Sequence, residues 1–297
     1  MEKKSLSPSA RENKLVPRPD GVRWQKGITP YRGRIFRKII YQHYRENPRI
    51  LPWRKTRSPY RILISEIMLQ QTQVERVIEK YRLFVRRYPG FPALSEASLA
   101  DIFGVWQGLG YNRRALALKR IAETVMRDFK GRLPRDEEEL IKLPGIGKYT
   151  ASAVYTFVQN KPSLFIETNI RRVFIHFFFE GKDDVRDDEI LPIIGMTLDN
   201  INPREWYYAL MDYGVMLKKS FRNPNRRSAH YQRQSPFNGS NRQVRGMILK
   251  TLVKNPGISS REIVRRLNAD PERVRENLER LKQEGFLTGK GRVLFIA

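Results

Sequence analysis

Nine residues, Leu143-Pro144-Gly145-Ile146-Gly147-Lys148-Tyr149-Thr150-Ala151, join the acidic run DEEELIKL to the apolar run TASAVYTFV. Two glycines around one aliphatic residue permit a tight hairpin whose backbone N–H groups point outward at a helix N-terminus, where peptide dipoles favour an anion. A single phosphate fits such a turn, and the same residues also read as an ordinary αα-hairpin with glycine caps. Outward from this point, helical periodicity dominates from Tyr31 to about Met216, punctuated by Gly and Pro, with no long alternating stretch that would build a sheet. The segments RGRIFRKIIYQHYREN, RILISEIMLQQTQVERVIEKYRLFVRRY, SLADIFGVWQGLG, RRALALKRIAETVMRDFKG, TNIRRVFIHFFFEG and PREWYYALMDYGVMLKK complete a mostly α domain of antiparallel helices.

The 297 residues carry 57 Lys plus Arg against 31 Asp plus Glu, a formal charge of +26. An excess of that size repels itself and attracts polyanions, which makes a phosphate backbone the expected partner. Hydrophobic residues at 40% and aromatics at 11% exclude a disordered basic tail as the account of the whole chain. The absence of cysteine excludes disulfides, thiolate nucleophiles, cysteine-held zinc and iron–sulfur clusters. With only His43, His176 and His230 as histidines, no metal site is expected. The N-terminal run MEKKSLSPSARENKLVPRPDG lacks the apolar stretch of a signal peptide, and no other run approaches a spanning helix, so a cytoplasmic, nucleoid-associated protein without a membrane partner is expected.

Composition divides the chain into a flexible basic arm over residues 1–28, a helical domain over 29–217, a basic linker over 218–240 rich in Arg, Asn, Ser and Pro, and a small α+β domain over 241–297. In the last, NRQVRGMILKTLVKN, SSREIVRRLN and DPERVRENLERLKQEG predict three helices, and FLTGKGRVLFIA predicts two strands around a Gly-Lys-Gly turn. Three helices and a β-hairpin make a winged helix, whose recognition helix runs from Arg273 to Lys282 with Glu residues diluting its charge; its partner is DNA or protein.

Along a helix starting near Arg61, Leu63, Ile64, Ile67, Met68, Val74, Val77 and Ile78 keep helical spacing and face the core, which places Glu66, Gln70 and Gln73 on another stripe. A carboxylate in line with neutral amides, beside Gln71 and Thr72, offers donors and acceptors to base edges; a solvated polar face is the plainer reading. Glu167, in LFIETNIRRV, precedes a helix whose expected N-cap is Thr168, and an acid at a helix start is commonplace. Paired with Glu66, it suggests the two-carboxylate arrangement of glycosidic cleavage. Phe174, Phe177, Phe178 and Phe179, with His176, read as core packing.

Trp53 with Arg54, SEIMLQQTQV (65–74), WQGLGYNRRA (106–115) and LPGIGKYTA (143–151) together resemble the MutY adenine DNA glycosylases of the helix-hairpin-helix superfamily, collinearly from Tyr31 to Met216. The resemblance implies a helix-hairpin-helix glycosylase domain in which Glu66 is the general acid, Gln71 and Tyr111 push into the base stack, Thr72 and Leu109 fall in the runs that face the base opposite the adenine, and Gln70 belongs to the base-pocket and DNA-binding residues. It implies that Trp53, Arg54 and Tyr60 help build the pocket for the extruded base, and that Gly145, Gly147 and Lys148 form the phosphate-gripping hairpin. Tyr149 stands where bifunctional relatives carry a Schiff-base lysine, which implies a monofunctional, hydrolytic enzyme.

This chain departs from that family at three places. Glu167 followed by Thr168 replaces the usual Asp and Gly, with Asn169 retained. The four-cysteine iron–sulfur loop is missing, with the basic segment Lys218 to Arg233 in its place, and a winged helix replaces the domain that senses 8-oxoguanine. The expected activity is excision of a mispaired base from duplex DNA, adenine opposite guanine or 8-oxoguanine, without a cofactor, although the hairpin is compatible with a monovalent cation. The alternatives are a thymine or uracil mismatch glycosylase and a catalytically weakened protein that binds mismatched DNA.

Overall fold

A computed structural model describes residues 28–233 and 236–297. In chain order the helices are α1 (Pro30–Glu46), α2 (Pro59–Leu69), α3 (Val74–Arg87), α4 (Phe91–Glu96), α5 (Leu99–Trp106), α6 (Arg113–Asp128), α7 (Glu137–Leu140) and α8 (Lys148–Gln159). They continue with α9 (Thr168–Phe178), α10 (Asp187–Thr197), α11 (Pro203–Ser220) and α12 (Asn241–Lys254). Strand β1 (Ile258–Ser259), α13 (Ser260–Arg266), α14 (Pro271–Gln283), β2 (Leu287–Lys290) and β3 (Val293–Ile296) close the chain. The expected arm over residues 1–28 lies, Ile28 apart, outside the described residues.

The chain forms two compact units. The first takes residues up to Arg49 and Ile166–Tyr231, and the second takes Ile50–Phe165 and Gln232–Ala297. This differs from the division expected at residues 217 and 240: the winged helix clusters with the middle of the helical domain, and the stretch after α11 clusters with α9 to α11.

In the second unit, α2 is buried from Ile62 to Met68 and packs against α3, α6 and α8. Ser58 caps its start, accepting from the Arg61 N–H, with Pro59 in the first turn. One continuous helix from Arg61 through Ile78 was the expectation, and the structure corrects it: α2 stops at Leu69, Gln71 adopts a left-handed φ of 52°, and α3 starts at Val74. The apolar spacing resumes after four residues, so a break and a continuous helix leave nearly the same pattern. Glu66, Gln70 and Gln73 therefore share no helical stripe.

The winged helix has the three expected helices and one more strand than expected, giving an antiparallel sheet of order β1-β3-β2. Its wing turns at Gly291-Arg292, since Lys290 already pairs with Val293. The module is joined to α5 and α6 within the second unit. Phe286 stacks on Phe103 with centroids 5.7 Å apart and planes 6° from parallel. The Glu284 carboxylate accepts paired bonds from both Arg113 (2.9 and 2.7 Å) and Arg245 (3.1 and 2.6 Å). Those two guanidinium groups, Arg113 first, hold the Glu284 carboxyl down at about 2.

In the first unit, Phe36 of α1 sits within 5.1–5.7 Å of the rings of Phe174, Phe177, Phe178 and Trp206, an edge-on aromatic cluster that ties α1 to α9 and α11. Helix α10 escapes the sequence reading because Pro192 lies inside it. The expected linker is also corrected in part. Helix α11 runs on to Ser220, and a 3₁₀ turn at Pro224–Arg227 follows, with Pro224, Asn225 and Ser228 buried. Polar side chains rather than apolar periodicity hold this segment in place.

Candidate active site

Helix α2 is nearly all apolar, and Glu66 is its one acidic residue, 6% exposed. It is held in the interior by packing on both sides, an expensive place for a carboxylate and therefore informative. From α8, the Tyr149 hydroxyl donates to Glu66 Oε2 over a long 3.4 Å, and Gln70 Nε2 donates to Thr150 Oγ1 at 3.1 Å. The α2–α8 contact thus brings Glu66, Gln70 and Tyr149 to the helix that opens at the glycine hairpin.

That hairpin has the expected form. Gly145 has φ 76°, and a Cβ there would lie 2.8 Å from the Ala117 Cβ, so conformation and space both require glycine. Leu143 and Ile146 anchor the turn inward, while Gly145, Gly147 and Lys148 are exposed. Ser152 of α8 donates to Glu137 of α7 at 2.7 Å, locking the two arms.

Two further turns come together around Arg114, which sequence reasoning assigned no role. Its guanidinium is buried and donates to the carbonyls of Ile67 (3.1 Å), Met68 (2.8 Å) and Gln70 (2.5 Å), and to those of Leu109 (3.3 Å), Gly110 (3.1 Å) and Tyr111 (3.4 Å). It also donates to Thr72 Oγ1 at 3.0 Å. The carbonyls ending α2 have no partner within their own helix, and a cation at that end also meets the favourable pole of the dipole. Burial pulls the Arg114 guanidinium down to about 10. Gln71 and Tyr111 carry left-handed φ values of 52° and 47°, a conformation that costs a non-glycine residue about 1–2 kcal/mol. Arg114 holds both strained turns side by side.

In the first unit, Glu167 is itself the N-cap of α9, correcting the expectation of Thr168: Oε1 accepts from the N–H groups of Asn169 (2.7 Å) and Ile170 (2.9 Å), and Oε2 from Asn169 Nδ2 (3.2 Å). One carboxylate oxygen takes both N–H donors, which places the cap one residue back and Thr168 in the first turn of α9. Although part of its surface is accessible, enclosure by surrounding atoms raises the Glu167 carboxyl above the ordinary range, and the two N–H donors with Arg172 and Arg171 offset that only in part. Buried Arg172 donates to Asn169 Oδ1 (2.6 Å), Gly214 O (2.7 Å) and Asn223 Oδ1 (2.9 Å), and Asn225 donates to the Thr168 carbonyl at 2.8 Å. Gly214 lets α11 pass over the start of α9, since a Cβ there would stand 2.4 Å from the Asn169 carbonyl oxygen.

Residues 64–190 match the HhH-GPD superfamily base excision DNA repair protein model, and 242–288 match a winged helix-turn-helix DNA-binding model. The chain is 39% identical over 166 residues to a thymine/uracil-DNA glycosylase of Pyrobaculum aerophilum, covering 55% of this chain and 67% of that one. The chain belongs to the HhH-GPD superfamily of base excision DNA repair proteins. It is also 36% identical over 187 residues to an adenine DNA glycosylase of Buchnera aphidicola, covering 62% of this chain and about half, 52%, of the length of that relative. Among solved structures, a thermostable thymine-DNA glycosylase superposes with a TM-score of 0.56 at 27% identity, covering 63% of this chain and 87% of that one.

Within this HhH-GPD chain, the second unit gathers Glu66, Tyr149 and Gln70 at one helix contact, and Gln71, Thr72, Leu109 and Tyr111 at the Arg114 hub; the first unit holds Glu167 with Asn169. Leu109 is buried and contributes its carbonyl rather than its side chain. Trp53 packs edge-on against Tyr81, and Tyr60 is buried with its hydroxyl donating to the Tyr88 carbonyl at 2.6 Å. Burial raises the Tyr60 phenol well above its usual range. Trp53 and Tyr60 are thus core anchors, whereas Arg54 beside them is partly exposed. With no cysteine in the chain, a thiolate-held cluster has no ligands, and no step depends on one. Among the described residues no helix is long and apolar enough to cross a membrane. The missed residues were Arg114, Arg172, Asn223 and Asn225. For Arg114 the available signal was an arginine running into apolar residues, Arg114-Ala115-Leu116, whereas Asn223 and Asn225, in Arg222-Asn223-Pro224-Asn225-Arg226, offered none.

Proposed function

We propose that this chain is a monofunctional DNA glycosylase that removes adenine mispaired with guanine or 8-oxoguanine. The observation that carries the reading is the lone carboxylate of α2, buried at the α8 contact under Tyr149. An enclosed acid suits proton donation to a ring nitrogen of the base, and a phenol in place of an amine leaves hydrolysis as the outcome. Glu167 supplies negative charge to the cationic sugar as the N-glycosidic bond breaks, and its N–H donors and Asn169 fix its orientation. Gln71 and Tyr111, already in strained turns, enter the stack as the base is extruded, and the hairpin holds a phosphate of the strand. Water completes the hydrolysis and leaves an abasic site. The place of action in this reading is the cytoplasm, on the nucleoid.

The 39% identity to a thymine/uracil-DNA glycosylase favours a second reading, in which thymine or uracil opposite guanine is the target. A panel of duplexes with single A·G, A·8-oxoguanine, G·T and G·U mismatches separates the two. Adenine release from the first pair supports the main reading, and release from the last pair alone overturns it.

A further inference from the structure

The wedge proposed at Tyr111 is held from the winged helix. Arg242, in the first turn of α12, donates from Nη1 to the Tyr111 hydroxyl at 2.7 Å, and its guanidinium lies 5.5 Å from the ring centre; Arg114 lies 5.4 Å from the same ring. This contact rests on a fixed joint, the Glu284 clamp to Arg113 and Arg245 and the stack of Phe286 on Phe103. The helix a winged helix normally lays in the major groove is poorly suited to that task here. On α14, exposed Glu272, Glu276 and Glu279 offset three of its four cations, Arg273, Arg275, Arg280 and half-buried Lys282, in a chain whose net charge is +26. The winged helix is therefore short of charge where a reader needs it and joined to the duplex-opening turn where a brace would act.

We propose that Arg242 is a positioning residue for Tyr111, and that the winged helix braces the wedge rather than reading sequence. The proposal rests on Tyr111 entering the base stack. A tyrosine free to rotate must be ordered each time it is driven between bases, and a charge-assisted bond to its hydroxyl orders it beforehand. Arg114 cannot do this, because its donors go to backbone carbonyls and Thr72.

The test uses the full chain with Arg242→Ala, Arg242→Lys, Tyr111→Phe and the Ala/Phe double variant. Opening is read from 2-aminopurine fluorescence beside an A·G mismatch in a Glu66→Gln background. Base release is read in single turnover on that mismatch and on a duplex whose target adenine is unstacked in a one-nucleotide bulge. Arg242→Ala should slow opening and release from the mismatch about tenfold, a lost bond to a charged donor, and leave release from the bulge unchanged. Tyr111→Phe should slow them similarly, the double variant should add nothing, and Arg242→Lys should recover part. Equal slowing on the bulge, full additivity, or faster opening in Arg242→Ala overturns the proposal, as does sequence-selective affinity lost on reversing the charges of α14. If Arg242→Ala fails to fold, Arg242→Lys and Tyr111→Phe carry the comparison. Failure of the adenine reading shows separately, as a wild-type protein that opens the mismatch and releases no base.

Discussion

Arg114 in the second unit and Arg172 in the first are both buried, and neither bonds a carboxylate. Arg114 spends its donors on seven oxygens, six of them backbone carbonyls from two turns. Arg172 bonds two asparagine side chains and the Gly214 carbonyl, and through Asn169 it stands one residue away from Glu167. The first cation shapes backbone; the second arranges amides around an acid. Arg114 bonds the carbonyl of Ile67, the residue next to the acid Glu66, and Arg172 bonds Asn169, whose amide in turn bonds the acid Glu167.

The two acids should differ most sharply in what their removal does. Glu66→Gln should slow base release about 10²–10⁴-fold with duplex affinity nearly unchanged; single-turnover kinetics beside a binding titration measure both, and a parallel loss of affinity would make Glu66 a binding residue. Next come the arginines. Arg114→Ala should destabilise the protein by about 3–5 kcal/mol, because it orphans several buried carbonyls at once, and Arg172→Ala by about 2–3 kcal/mol. Chemical denaturation gives the order, and its reversal would mean that the strained turns need no holder.

Glu167 offers a finer test. Its folded-state carboxyl titrates above the ordinary 4.5, so ionisation opposes folding, and that cost develops as pH rises from 4.5 through the raised value. Glu167→Gln should therefore raise the melting temperature by roughly 2–4 °C at neutral pH while abolishing activity, with the gain vanishing below pH 4.5. Glu284 has the opposite sign. Its depressed carboxyl stabilises the winged-helix joint above pH 4.5, and this is lost as pH falls toward about 2. Quenching of a probe on α12 should show that loosening, and Glu284→Gln should show a smaller version of it at neutral pH.

Much of this was legible because a glycine at positive φ or an acid inside an apolar run breaks a rule that sequence displays. Gly145 and Glu66 are of that kind. The break at Gln70–Gln73 was hidden, since glutamine and threonine neither favour nor forbid a turn and the apolar spacing resumes beyond it; a guanidinium more than forty positions away makes the turn. The 3₁₀ turn at Pro224–Arg227 was hidden for another reason. It is held by Asn223, Asn225 and the Val185–Ser228 bridge, and polar packing leaves no periodic trace. The cap at Glu167 misled by one residue because threonine is a commoner cap than glutamate, and only the fold shows which oxygen takes the free N–H groups.

The first unit is assembled from two stretches separated by more than a hundred residues. Phe36 leaves the ribosome 170 residues before Trp206, the last ring of its aromatic cluster. At about 5–20 residues per second this amounts to roughly 10–30 s during which the apolar face of α1 waits without its partners. Synthesis must carry that helix through a period of exposure while Ile50–Phe165 is made, so the order of translation places the Glu167 support after most of the second unit has emerged and before the winged helix that completes it.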